Sequence, residues 1–235
     1  MSRLDPSLLA GLPPFMGMDQ PALEHILEGA KPLRQPKNAH VFRQGEEAHS
    51  FYLLLDGYVR VVKLAPDGEQ VIVRFIASGE LLGIAKAIGR DSYPANAVAA
   101  ADCVLLAWPS HLWESIVSAH PGFATNTYAM LGERLLETQD KVVELATERV
   151  EQRVANAVLK LANQSGRKTE EGTLIDFPIS RQDISEMTGT TLHTVSRLLS
   201  GWEHAGWVKS SRQKVTLMEG HKLVMVASGQ AGRKS

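Results

Sequence analysis

The 235-residue chain holds a single cysteine, Cys103, so no internal disulfide can brace it. No apolar run approaches the roughly 20 residues that a membrane-spanning helix needs. Residues 1–12 lack the basic stretch and apolar core of an export signal, so a cytoplasmic protein is expected, with no membrane partner. The sequence also lacks HExxH, GxSxG, a phosphate-binding P-loop and any pair of metal-ligand spacings, and its carboxylates fall mainly on polar helix faces and in turns. An enzyme is therefore not expected. Excess charge is nearly absent, with a formal net of −1, yet the charge is unevenly placed. Residues 167–235 carry 10 Lys and Arg against 7 Asp and Glu, while the remainder carries 15 against 19. A basic C-terminal part suits phosphate contact.

The sharpest signal lies in that basic part. Ser180 to Leu199 reads as two short helices broken at Gly189. Ser180 is placed as an N-cap with Asp183 three residues on, close to a capping box, and Thr190 or Thr191 can cap the second helix. Ile184, Met187, Val195, Leu198 and Leu199 supply apolar faces, whereas Thr191, His193, Thr194, Ser196 and Arg197 gather on or near one polar side. Two helices at a steep angle around a Gly turn form a helix-turn-helix, whose second helix can enter a DNA major groove. Residues 207–217 follow as two short strands around a basic turn, a wing that places Lys209, Arg212 and Lys214 for phosphates. Ser180, Arg181 and Gln182 open the first helix and complete the candidate DNA contacts.

Upstream, residues 5–30 read as helical, with Asp19 and Pro21 marking a start. The texture then changes. Strand-like runs at 50–55, 58–64, 70–76, 95–100 and 103–108 alternate with Gly-containing turns, which argues for a small antiparallel barrel or roll. A short helix near 110–119 precedes a long helical segment, 121–146. Along it Ala124, Tyr128, Leu131, Leu135, Thr138, Val142 and Leu145 alternate at spacings of four and three, a heptad seam suited to a dimer coiled coil. A further helix spans 148–163, residues 163–172 read as a polar loop, and the 227–235 tail reads as frayed. The expected architecture is α+β: an N-terminal antiparallel β-roll at 1–120, a dimerisation helix at 121–146, and a C-terminal winged helix-turn-helix at 147–235.

That order, with Val41-Phe42-Arg43-Gln44-Gly45-Glu46, Leu55-Asp56-Gly57-Tyr58-Val59-Arg60-Val61, Gly79-Glu80-Leu81-Leu82-Gly83 and the 179–199 segment, resembles the CRP/FNR superfamily of bacterial transcription regulators over about residues 12–225. The resemblance implies a homodimer joined through Tyr128, Leu131, Leu135, Thr138, Val142 and Leu145. It also implies two recognition helices about 34 Å apart on palindromic double-stranded DNA, and RNA polymerase as a further partner. Arg197 stands where the family reads a base, and its fork suits guanine O6 and N7. Ser196 stands where FNR-like members add a second contact. His193 occupies a position usually held by Glu: it can donate as well as accept, touch phosphate, or stay solvated beside the groove.

The resemblance also frames what is sensed. Cyclic-nucleotide-binding members use Gly-Glu-Leu and Arg-Ser segments around the ligand. Here the corresponding stretches are Gly83-Ile84-Ala85 and Tyr93-Pro94-Ala95-Asn96-Ala97, so cAMP is not expected to bind. One cysteine cannot hold an iron–sulfur cluster, and Cys103, in an apolar strand, reads as a core thiol. The Thr190–Arg197 segment is similar to the nitric-oxide-responsive NnrR/DNR branch, which controls denitrification genes. Haem is one route to that response, with His25, His40, His49, His111 and His120 as candidate axial ligands or ordinary surface and structural histidines. An effector-independent, FixK-like activator is the alternative, as is response to another small ligand.

Overall fold

The computed structural model describes residues 4–66, 68–211 and 213–230 and has the expected α+β architecture. The chain divides into two compact units, one from residues up to Leu64 and from Arg74 to Thr138, the other from Ala65–Val73 and Gln139 onward.

The first unit opens with two short 3₁₀ turns and helix α1 (Gln20–Glu28), where the Asp19 carboxylate caps the Ala22 N–H and Pro21 sits in the first turn. The 5–30 segment is thus one helix and two turns, not continuous helix. Eight strands follow: β1 (Lys31–Gln35), β2 (His40–Phe42), β3 (Ser50–Asp56), β4 (Val59–Leu64), β5 (Gln70–Ile76), β6 (Leu81–Leu82), β7 (Asn96–Ala99) and β8 (Cys103–Pro109). They form two four-stranded sheets, ordered β1-β8-β3-β6 and β2-β7-β4-β5. Between the sheets lies a core of Phe42, Tyr52, Leu54, Val59, Ile76, Leu82, Tyr93 and Leu105. On the outer side of the first sheet, Phe15, Ile26, Trp108, Trp113 and Phe123 build a second core beneath α1 and helix α2 (Trp113–Ala119). The Trp108 indole N–H donates to the Ile26 carbonyl at 2.7 Å, which fixes α1 on β8.

Helix α3 (Pro121–Thr147) has two faces. Phe123 and Thr127 are buried, and Met130 and Leu131 pack on the roll's outer core. Across the helix Tyr128, Leu135, Leu136, Val142 and Val143 are 53–62% exposed. Of the expected seam residues, Tyr128, Leu135, Val142 and Leu145 are exposed and Leu131 packs in part on the roll's outer core, while Leu136 and Val143 are exposed beside them. Thr138 is exposed and its hydroxyl donates to the Arg134 carbonyl at 2.8 Å.

The second unit holds α4 (Val150–Ser165), α5 (Arg181–Thr188), α6 (Leu192–His204) and α7 (Gly220–Ala227), with an antiparallel sheet ordered β11-β12-β10-β9. Its strands are β9 (Gly166–Thr169), β10 (Gly172–Ile175), β11 (Val208–Ser211) and β12 (Lys214–Leu217). Residues 163–172 are not a loop: α4 continues to Ser165 and β9 pairs with β10 from Gly166↔Ile175 to Thr169↔Gly172. Val154, Val158, Leu161, Ile184, Val195 and Leu199 make the core beneath the helices.

Candidate nucleic-acid interface

The geometry of the helix pair follows from its local chemistry. At the start of α5 the Ser180 hydroxyl accepts from the Asp183 N–H at 3.0 Å, and the Asp183 carboxylate accepts from the Ser180 N–H at 2.7 Å, a complete capping box. Gly189 ends α5 at φ 59°, a left-handed conformation that Gly adopts without Cβ strain. Thr191 then caps α6, accepting from the Thr194 N–H at 3.2 Å. Val195, Leu199 and Trp202 bury the underside of α6. Its outer side carries exposed Leu192, His193 and Arg197, flanked by half-buried Thr194 and Ser196. Neither His193 nor Arg197 is engaged by another side chain among the described residues, so both are open to an external partner.

The remaining expected contacts divide. Gln182 is exposed but bonds Glu186 at 2.8 Å. Arg181 does not project freely: its guanidinium donates to Ser210 Oγ at 3.0 Å and Ser200 Oγ at 3.4 Å and lies 3.6 Å from Glu203. Glu203 in turn accepts from the Ser210 N–H at 2.7 Å. These four residues pin the start of α5, the end of α6 and the wing strand together. Arg181 thus serves the domain's own geometry, a role for which its sequence position gave no signal. In the wing, Lys209 is held by both Glu171 carboxylate oxygens at 2.7 and 2.8 Å. Lys214 is exposed, and Arg212 lies outside the described residues, as does most of the 227–235 tail. Leu192, 46% exposed at the first position of α6, escaped the sequence reading because an apolar residue there looks like core. It could meet a thymine methyl group.

Behind the pair, the Arg153 guanidinium donates to the Thr188 carbonyl at 3.1 Å and to the Glu148 carbonyl at 3.0 Å. Leu145 faces the turn: a Cβ on Gly189 would lie 3.6 Å from its Cδ2. The end of α3 thus lies beside the helix-turn-helix, with the Leu145 side chain still 47% exposed.

In the roll, a Cβ on Gly83 would stand 3.1 Å from both Phe42 and Tyr52, because rings fill the space beside it. Phe42 stacks on Tyr93 at 3.9 Å and on Tyr52 at 5.9 Å between centroids. The Tyr93 hydroxyl donates to the Ser50 carbonyl at 2.7 Å, and burial pushes its pKa upward. Asn96 is buried and accepts from the Gln44 N–H at 2.9 Å. No cationic side chain occupies residues 93–97.

Of the candidate haem ligands, His25 Nδ1 and His120 Nε2 bond each other at 2.8 Å, which leaves each ring its other nitrogen. Burial holds His40 below the usual imidazole value, His49 stands 3.7 Å from Glu47, and His111 is exposed. Among the described residues no three His, Cys, Asp or Glu are grouped to hold a metal ion. Cys103 is buried in the roll, and burial raises its pKa. No helix of the described residues is long and apolar enough to cross a membrane.

Residues 32–120 match the cyclic nucleotide-binding domain model, and residues 152–225 match the Crp-like helix-turn-helix domain model. The chain is 29% identical over 223 residues to the cyclic AMP receptor protein of Thermus thermophilus, covering 95% of this chain and all of that one. It is 23% identical to the fumarate and nitrate reduction regulatory protein of Escherichia coli, over 87% of this chain and 81% of that one. Among solved structures, FixK2 from Bradyrhizobium japonicum superposes with a TM-score of 0.74 at 25% identity, covering 84% of this chain and 96% of that one. The proteins it is similar to are transcription regulators rather than enzymes, and the chain is a DNA-binding transcription regulator of the CRP/FNR family.

Proposed function

We propose that the protein works as a homodimer that reads an inverted repeat in double-stranded DNA through Arg197, Ser196, His193 and Thr194 of each α6. Thr191, Ser180, Gln182 and Lys214 would sit at the backbone. The observation that carries this reading is the outer side of α6, where Arg197 and His193 stand exposed over a buried apolar underside. An unpaired guanidinium on a recognition helix is available for the bidentate guanine contact. The second copy is supported by Tyr128, Leu135, Leu136, Val142, Val143 and Leu145 of α3, six large apolar side chains exposed along one helix. Selection of duplexes from a random pool tests both parts. An inverted repeat with half-sites about one helical turn apart is expected; enrichment of a single unrepeated half-site would overturn the dimeric reading.

Activation of nitrogen-oxide genes in response to nitric oxide, through RNA polymerase, rests on the similarity of the Thr190–Arg197 segment to the NnrR/DNR branch. His25, His40, His49, His111 and His120 are the side chains that would offer haem an axial nitrogen. The filled space at Phe42, Tyr52 and Tyr93 favours a second reading, in which nothing binds inside the roll. Specific DNA binding by the purified protein, assayed with and without nitric oxide, separates the two.

A further inference from the structure

A cluster of charges on the roll, away from the ring-filled space, has more donors than acceptors. Arg74 on β5 and Arg134 on α3 both meet Glu80, in the turn before β6. Arg74 Nη2 donates to Glu80 Oε2 at 2.8 Å and Arg134 Nη2 to the same oxygen at 3.2 Å. Arg134 Nη2 also donates to the Leu81 carbonyl at 2.6 Å, and Glu80 Oε1 accepts from the Ala77 N–H at 2.9 Å. Arg74 Nη1 is 3.7 Å from Glu137, an ion pair without a hydrogen bond. The Arg74, Arg134 and Glu80 side chains are 19%, 17% and 24% exposed.

Arg74 Nε, Arg74 Nη1 and Arg134 Nε are buried without an acceptor. A guanidinium is a planar fork whose Nε–H and one Nη–H point the same way, the edge that takes an oxyanion with two parallel bonds. On both arginines Nη2 is engaged by Glu80 while Nε, the other half of that edge, has no acceptor. Two half-used forks therefore converge on a single carboxylate oxygen. Leaving buried donors unpaired is costly, and such groups call for a missing acceptor.

We propose that Arg74 and Arg134 form a binding site for a small oxyanion of the carboxylate or phosphate type, with Glu80 as its internal occupant. An incoming anion with two or more oxygens satisfies both forks, which one Glu80 oxygen cannot do. Displacing Glu80 also removes its bond to the Ala77 N–H, so the β5–β6 turn loses that tether while the anion takes over the link between Arg74 and Arg134. A ligand that favours this rearranged turn shifts the population toward it. This identifies the chemistry of an effector and rests on the reading of the chain as a ligand-controlled regulator.

The test is thermal unfolding and calorimetry of the full chain, titrated separately with inorganic phosphate and with succinate at constant ionic strength against a chloride control. A saturable rise in Tm is expected with at least one probe, and which probe acts distinguishes the two anion classes. Glu80→Gln, which removes the competing charge, should bind about tenfold more tightly; Arg134→Lys, which keeps the charge but loses the fork, about tenfold more weakly. No saturable response in either wild type or Glu80→Gln would overturn the proposal, with water as the acceptor instead, as would an unchanged response in Arg134→Lys. DNA binding is measured on the same preparations. Specific binding with no anion response sinks this proposal alone, whereas loss of specific binding in the wild type sinks the regulatory reading.

Discussion

Replacing Arg197 by Ala should separate recognition from folding. Arg197 is exposed on α6 and makes no side-chain contact among the described residues, so truncation leaves no buried group unpaired. Its effect on unfolding should stay within about 0.5 kcal/mol, as for other surface positions. On DNA the loss is the bidentate guanine contact, about 1–3 kcal/mol per half-site. With two half-sites the change is about 2–6 kcal/mol, or about 30-fold to about 10⁴-fold in affinity at fixed salt. Fluorescence anisotropy on the selected duplex and on a scrambled duplex is the assay. The specific complex should weaken toward the scrambled value, while the non-specific one loses at most one phosphate-type contact per protomer. Two controls sharpen the result. Lys214→Ala should weaken both duplexes alike and lower the salt slope by about one per half-site. Arg181→Ala should instead destabilise the domain, because Ser200, Ser210 and Glu203 lose their common partner. An unchanged ratio of specific to scrambled binding in Arg197→Ala would refute the assignment of α6.

Three further outcomes are expected. Leu136→Glu combined with Val143→Glu should shift the protein to monomer by sedimentation velocity, since each apolar side chain buried between copies is worth about 1.5–3 kcal/mol; a dimer persisting at low concentration would place the interface elsewhere. Glu171→Gln should free Lys209 for a phosphate and steepen the salt dependence of binding by about one unit per half-site, and an unchanged slope would mean that Lys209 does not reach DNA. His120 titrates below its usual value, first through burial and then through the neighbouring His25 ring, with Asp19 opposing. The unfolded chain then takes up this proton more readily, so stability present at about pH 7.5 should fall as pH drops through the unfolded value near 6.5. His120→Asn should flatten that slope in denaturant titrations, and an identical slope would exclude the pair as its source.

The order roll, long helix and winged helix-turn-helix was readable because each part announces itself locally. Ser180 with Asp183, Gly189 and Thr191 are short-range signals that need no tertiary partner, and the structure realises all of them. The misses share a different cause. Strands β1 and β9 are largely exposed and have no apolar alternation; only pairing with β8 and β10 makes them strands. On α3 two apolar stripes share the same 27 residues. Spacings of four and three fit either stripe, and nothing in the spacing shows that Leu131 also packs in part on the roll. That Glu203 lies beside Arg181 and Glu171 beside Lys209 was not legible, because a cation's sequence position does not show its tertiary neighbours.

The charges on α3 make more sense for switching than for stability. A buried ion-pair cluster is often no more stable than apolar packing of the same volume, since desolvation offsets the attraction. The middle of α3, at Arg134, nevertheless meets the roll through two arginines and a carboxylate, with three donors unsatisfied. The Leu145 end lies beside the Gly189 turn, and the nearby α4 residue Arg153 bonds the Glu148 and Thr188 carbonyls. The second junction is satisfied and should move as a piece with the helix-turn-helix. The first is the one whose hydrogen bonding a solute could complete.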